Sequence, residues 1–183
     1  MTSGPRAAGL VAALGLAVGR AAAAEALMGE RPAVHAGRAW HAFLALPASL
    51  PLFLLVQGSI VPGAEMPVLR PLAGVVLGWL AYAVLSERMA AATGRAALWP
   101  RFVMLWNWCN LVQYLFLVLA LVPGWLGVPA AVAQGVWLVA VFWAVWLQWS
   151  ATRLGLAIGG GPAALLVVAD MTVGVLAGRL VGD

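Results

Sequence analysis

Apolar residues run through this chain in five long stretches, at 43–61, 68–85, 102–122, 129–149 and 163–181. A helix needs about 20 mainly apolar residues to cross a bilayer. The pattern therefore predicts an all-α polytopic bundle of five transmembrane helices. The breaks between the stretches fit this reading. Pro62-Gly63 and Pro67 separate the first two spans, Pro123-Gly124 and Pro129 the third and fourth, and Gly159-Gly160-Gly161-Pro162 precedes the fifth. Proline lacks the amide donor and glycine tolerates turn geometry. Pro47 and Pro51 fall inside the first span and predict a kink, which membrane helices tolerate because neighbours satisfy the freed carbonyls.

The chain divides into a cytoplasmic N-terminal segment at 1–41 and a transmembrane domain at 42–183. The segment opens with Arg6, an apolar run at 7–19 and Ala22-Ala23-Ala24. An uncleaved helix over about 7–28, interfacial or packed beneath the bundle, fits the flanking arginines best. A cleaved signal peptide and a sixth span are the alternatives.

Composition sharpens the class. Of 183 residues, 64% are hydrophobic and 9% charged, and the mean hydropathy is +1.01. A soluble domain carries about 25% charged residues, so this chain cannot cover a water-facing surface. A nucleic-acid partner is not expected despite a pI near 10.6, because the net charge is only +4 and dispersed. The lone Cys109 excludes an internal disulfide and a multi-cysteine metal site.

Arginines set the orientation. Arg6, Arg20, Arg31, Arg38, Arg88, Arg95, Arg101 and Arg153 fall on one side of a five-span chain, Arg70 and Arg179 on the other. The positive-inside rule places the N-terminus in the cytoplasm and the C-terminus in the periplasm of a bacterial inner membrane. Trp40, Trp99, Trp106 and Trp149 then fall near the inner interface and Trp125 near the outer one.

Polar groups inside hydrocarbon are costly and need a reason. Asp170 is the only acid well inside a span, Asn107, Asn110, Gln148 and Arg153 occupy comparable depths in the inner half, and Gln113 follows in the third span. They predict an intramembrane polar cluster, either a pocket or proton-linked site around Asp170 or an interhelical hydrogen-bond clamp. Asn107, Asn110 and Gln113 step by three and can line one groove. Gln57 and Gln134, nearer the outer side, are candidates to pair with each other. Trp143, Trp146 and Trp149 form an aromatic face, with Arg153 placed for a cation–π contact.

Asp170, Gly174, Gly178 and Gly182 make one stripe at four-residue spacing, which lets another helix approach closely. The second span, through Gly74 and Gly78, or the third, through its asparagines, is the expected neighbour. Packing within one chain and packing between chains both remain open.

No catalytic motif is present, and His35 and His41 both precede the first span. No catalytic residue, metal site or cofactor is expected. The expected partners are the lipid bilayer and either a second copy or another membrane protein, with any small-molecule substrate unknown. The leading expectation is a non-enzymatic protein of membrane organisation, scaffolding or complex assembly. The alternative is a small transporter or channel subunit with its polar site at Asp170 and Asn107.

The order of features also carries a resemblance. Gly37-Arg38-Ala39-Trp40-His41-Ala42-Phe43 leads into the proline-bearing first span. Trp106-Asn107-Trp108 follows with a nearby Gln113, then an aromatic penultimate helix and a last helix reading Leu165-Leu166-Val167-Val168-Ala169-Asp170. This resembles small integral membrane proteins of alphaproteobacteria, which are in turn similar to the Yip family of five-span membrane proteins. In eukaryotes that family implies membrane trafficking and contact with small GTPases. The N-terminal segment here is brief and has no evident GTPase-binding tract, so that role is not carried over.

Overall fold

The computed structural model describes residues 5–29, 32–60 and 68–182. Within them the chain forms eight α-helices and a short 3-10 turn at Ala96–Leu98. The helices are α1 (Pro5–Ala17), α2 (Ala22–Met28), α3 (Pro32–Ala42), α4 (Ala45–Ile60), α5 (Leu69–Ala92), α6 (Trp99–Trp125), α7 (Ala130–Leu156) and α8 (Gly160–Gly182). Five apolar segments are long enough to span a membrane: Ala36–Ser59, Leu69–Ala92, Ala96–Trp125, Ala130–Leu156 and Gly160–Val181. The protein is an all-α, multi-pass membrane bundle with a short apolar helix ahead of it.

Local chemistry explains where the helices stop, and it revises several expected boundaries. The first span begins at Ala36, inside the segment assigned to the cytoplasm. Its kink falls at Phe43 and Leu44, between α3 and α4. Pro47 is the cause, because its ring crowds the carbonyl four residues back, which is that of Phe43. Pro51 lies inside α4 without breaking it. Pro123-Gly124 does not end the third span, since α6 runs through Pro123 to Trp125. The stop is Gly127, in the left-handed region at φ 72°. Its amide donates to the Gly124 carbonyl at 3.2 Å, and the Val128 amide donates to that of Pro123 at 3.0 Å. These two bonds form a Schellman cap. Pro62-Gly63 and Pro67 lie outside the described residues, as do Arg6 and His35 as side chains and Arg31 altogether.

The N-terminal segment also departs from one continuous helix over 7–28. Gly19, at φ 76°, caps α1 in the same way, with the Arg20 amide donating to the Gly15 carbonyl at 2.8 Å. The 13 residues of α1 reach only about 20 Å, too short for a sixth span. The helix is nonetheless part of the bundle. Ala12, Ala13 and Leu16 are buried against Met104, Leu105, Cys109, Leu147 and Ala151. Trp143 Nε1 donates to the Ala17 carbonyl at 3.0 Å.

Helices in lipid gain little from burying more apolar surface and rely on close packing and hydrogen bonds. Both devices are visible. The second and fifth spans, α5 and α8, cross through glycine as the spacing predicts. A Cβ on Gly74 would lie 3.2 Å from Gly178 Cα, and one on Gly78 would lie 3.3 Å from Gly174 Cα. Gly182 is the last residue of α8. On the other side, α6 and α7 cross where Gly155 faces Phe102. Arg101 Nε donates to the Gly155 carbonyl there at 2.6 Å, satisfying an orphan acceptor at the end of α7.

The bundle thus has two halves, α5 with α8 and α6 with α7. They are tied at the arginine-rich end, where Trp99 Nε1 donates to Ser86 Oγ at 3.1 Å. Trp149 Nε1 donates to the Gly160 carbonyl at 2.9 Å.

A methyl at position 155 would sit 2.7 Å from Phe102 Cα. Gly155→Ala is expected to lower the unfolding free energy by about 1–3 kcal/mol. Gly135→Ala on the same helix, with nothing within 4 Å, is expected to change it by under about 0.5 kcal/mol. Thermal unfolding in detergent, followed by circular dichroism, compares them; equal midpoints contradict this crossing.

Candidate functional site

Asp170 sits ten residues into α8, or about 15 Å along the helix, near the centre of a hydrocarbon core about 30 Å thick. This is deeper than the inner-half position expected from the spans. Its Oδ2 accepts hydrogen bonds from Trp106 Nε1 at 3.1 Å and from Gln148 Nε2. Gln148 Oε1 in turn accepts from Gln113 Nε2 at 3.0 Å, which also donates to the Ala144 carbonyl at 2.8 Å. One carboxylate oxygen therefore joins α6, α7 and α8.

The polarity of this chain follows from its end. A backbone carbonyl only accepts, so Gln113 must turn its amide nitrogen toward Ala144. That nitrogen then meets the oxygen of Gln148, which leaves the Gln148 nitrogen for Asp170. Trp106 has only an N–H to offer. Oδ2 is thus an acceptor whatever the protonation state, and any proton on Asp170 resides on Oδ1.

Asp170 lines a cavity of about 950 Å³. Among the described residues Oδ1 has no hydrogen-bond partner, and no buried side-chain oxygen or nitrogen lacks one. It is therefore open to the space that Asp170 lines. Asn110, Gln113, Tyr114 and Gln148 line the same space, with Phe53, Trp79 and Trp106 on its walls. Gln57, Arg70 and Arg179 line its far end, away from the arginine-rich end.

The floor is sealed by aromatic rings. Trp106 lies 5.5 Å from Trp79, 5.1 Å from Tyr82 and 6.3 Å from Phe102 between centroids. Edge-on and offset ring pairs at such distances attract through their quadrupoles. Tyr82 Oη donates to the Leu166 carbonyl at 3.2 Å, holding this seal to α8.

The six residues expected to cluster do not all meet. Gln113, Gln148 and Asp170 form one chain of bonds, and Asn110 opens onto the cavity beside them. Asn107 points elsewhere. It is fully buried, accepts from Trp79 Nε1 at 2.6 Å and donates to the Val103 carbonyl at 2.9 Å. A step of one residue rotates a helix position by about 100°, so Trp106 reaches Asp170 while Asn107 faces α5. Arg153 is outside the cluster, on an exposed surface with its guanidinium 4.6 Å above the Trp149 ring. No hydrogen bond joins Gln57 to Gln134, which is exposed on α7.

The tryptophans likewise part company. Trp106 is core rather than an interface anchor, being 2% exposed. Trp143 stacks on Phe116 with centroids 4.2 Å apart. The partner that sequence reading missed is Trp106. It stands four before Asn110 and seven before Gln113, the spacing of one helix face.

No family model, no curated protein and no solved structure matches this chain.

Removing one partner of a buried hydrogen bond costs about 1–3 kcal/mol. Asn107→Leu is expected to destabilise by that amount, because the Trp79 N–H is left dry. Adding Trp79→Phe removes the orphan, so the double variant is expected to lose less than the two single variants summed. Strictly additive losses in chemical unfolding would show that the two side chains are not coupled.

Proposed function

We propose that the protein is a non-enzymatic membrane carrier, or the solute-binding subunit of one, with its site at Asp170. The observation that carries this is the cavity with an open carboxylate oxygen at its floor. Its volume falls in the range of small-molecule pockets, about 300–1,000 Å³. An intramembrane acid that serves packing alone has no need of a cavity at its free oxygen. The aromatic seal beneath favours a carrier over an open channel.

The other reading, a Yip-like protein of membrane organisation or complex assembly, rests on the resemblance and on the glycine stripe. That stripe is engaged within the chain, between α5 and α8, which places this reading second.

The protein belongs, on this proposal, to a bacterial inner membrane, with its arginine-rich end in the cytoplasm and its C-terminus in the periplasm. The charge asymmetry supports that orientation. The cavity then opens toward the periplasm and is closed toward the cytoplasm.

Cysteines introduced in a Cys109→Ala background test both statements. A Cβ at Gly174 meets nothing within 4 Å, so Gly174→Cys fits. It is expected to react in whole cells with a membrane-impermeant, sulfonated thiol reagent, as is Leu126→Cys in the opposite-end loop. Thr93→Cys is expected to react only with a permeant reagent. An inert Gly174→Cys sinks the water-filled cavity, and external labelling at Thr93→Cys inverts the orientation.

A further inference from the structure

We infer that the cavity recognises an organic ammonium, a protonated amine on an apolar body. The inference rests on the carrier reading and names its ligand class. It follows from which atoms the hydrogen-bond chain leaves free.

Three N–H groups that frame the carboxylate are turned to protein acceptors. Trp106 Nε1, Gln148 Nε2 and Gln113 Nε2 all point to protein acceptors. What remains open to the cavity is two oxygens, Asp170 Oδ1 and Gln113 Oε1, beside the unbonded side chains of Asn110 and Tyr114, each of which can accept or donate. An open carboxylate oxygen, with groups beside it that can accept, suits a ligand that donates and is positively charged.

The walls refine the class. Phe53, Trp79, Trp106 and Tyr114 bring ring surface to the same space, and aromatic faces attract ammonium groups. A dehydrated metal ion is a poorer fit. Among the described residues, no group of three or more His, Cys, Asp or Glu side chains is placed to hold one.

Charge along the cavity changes sign from floor to mouth. Asp170 is the one acid at the floor, and Arg70 and Arg179 stand at the mouth. Arg179 is nine residues further along α8, or about 14 Å. Arg179 opposes a bare inorganic cation in the mouth. An ammonium on an apolar body offsets that repulsion by burying the body against the rings.

The test uses the purified full chain in lipid nanodiscs, with 2-phenylethylammonium as probe. Phenylacetate, 2-phenylethanol and sodium chloride are the comparators. Isothermal titration calorimetry and thermal midpoints are expected to register the ammonium and none of the others. Asp170→Asn keeps an oxygen that accepts from Trp106 and Gln148, and it is expected to weaken binding at least tenfold. Gly174→Leu fills the space one turn above Asp170 without touching the hydrogen-bond chain, and it is expected to abolish binding with the midpoint of the unliganded protein preserved.

Binding of phenylacetate equal to that of the ammonium overturns the inference. So does a response to sodium chloride alone, an Asp170→Asn affinity within twofold of wild type, or no ammonium binding at millimolar concentration. Labelling of Gly174→Cys separates the two levels. If it is labelled and the ammonium fails, only the ligand class falls; if it is inert, the carrier reading falls as well.

Discussion

The structure depends on one oxygen. Asp170 Oδ2 collects N–H groups from α6 and α7 while standing on α8. Polar groups left unpaired inside a membrane cost up to several kcal/mol each. Three helices are therefore held in register by a requirement that acyl chains cannot relax. Trp106 then takes its place among the rings that seal the floor, and Gln148 hands its carbonyl to Gln113. The second oxygen is left over, and it meets a cavity rather than a fourth helix.

The two halves of the bundle are joined by different means. Within a half, backbones approach through glycine, at Gly74 and Gly78 against α8 and at Gly155 against α6. Between halves, the ties are side-chain hydrogen bonds: Trp79 to Asn107, Trp99 to Ser86, and Trp149 to the Gly160 carbonyl. These lie at or below the level of Asp170. Above it the halves part, and the cavity opens between them. A bundle with rigid pairs and polar seams at one end has a natural place to open, because exchanging hydrogen-bond partners disturbs less packing than separating glycine-packed backbones.

The glycine stripe shows how one observation changes meaning in three dimensions. Gly174 and Gly178 receive Gly78 and Gly74 against their Cα atoms, yet a Cβ built on either meets nothing within 4 Å. They pack with their edges and keep the space in front of Asp170 open with their missing side chains. The same residues that bring α5 close to α8 thus make room at the site.

Much of the architecture was legible from residues alone. Five apolar stretches had to become five spanning helices, because a backbone in lipid must satisfy its own hydrogen bonds. Asp170 had to face protein, and the Gly74–Gly78 pair matched the Gly174–Gly178 pair by spacing. Helix ends were less legible. Pro123 is the more conspicuous signal, but Gly127 in the left-handed region ends α6, and a positive φ is a property of the folded backbone.

Which polar residues share a site was decided only by tertiary structure. Asn107 and Trp106 are neighbours in sequence, and helix rotation sends one to α5 and the other to Asp170. The direction of each amide was likewise set from outside, by the Ala144 carbonyl at the end of the chain of bonds. Sequence determined that the awkward atoms must be paired, because oil gives them no alternative. The rotation and crossing of the helices decided which atoms were paired, and which oxygen was left facing open space.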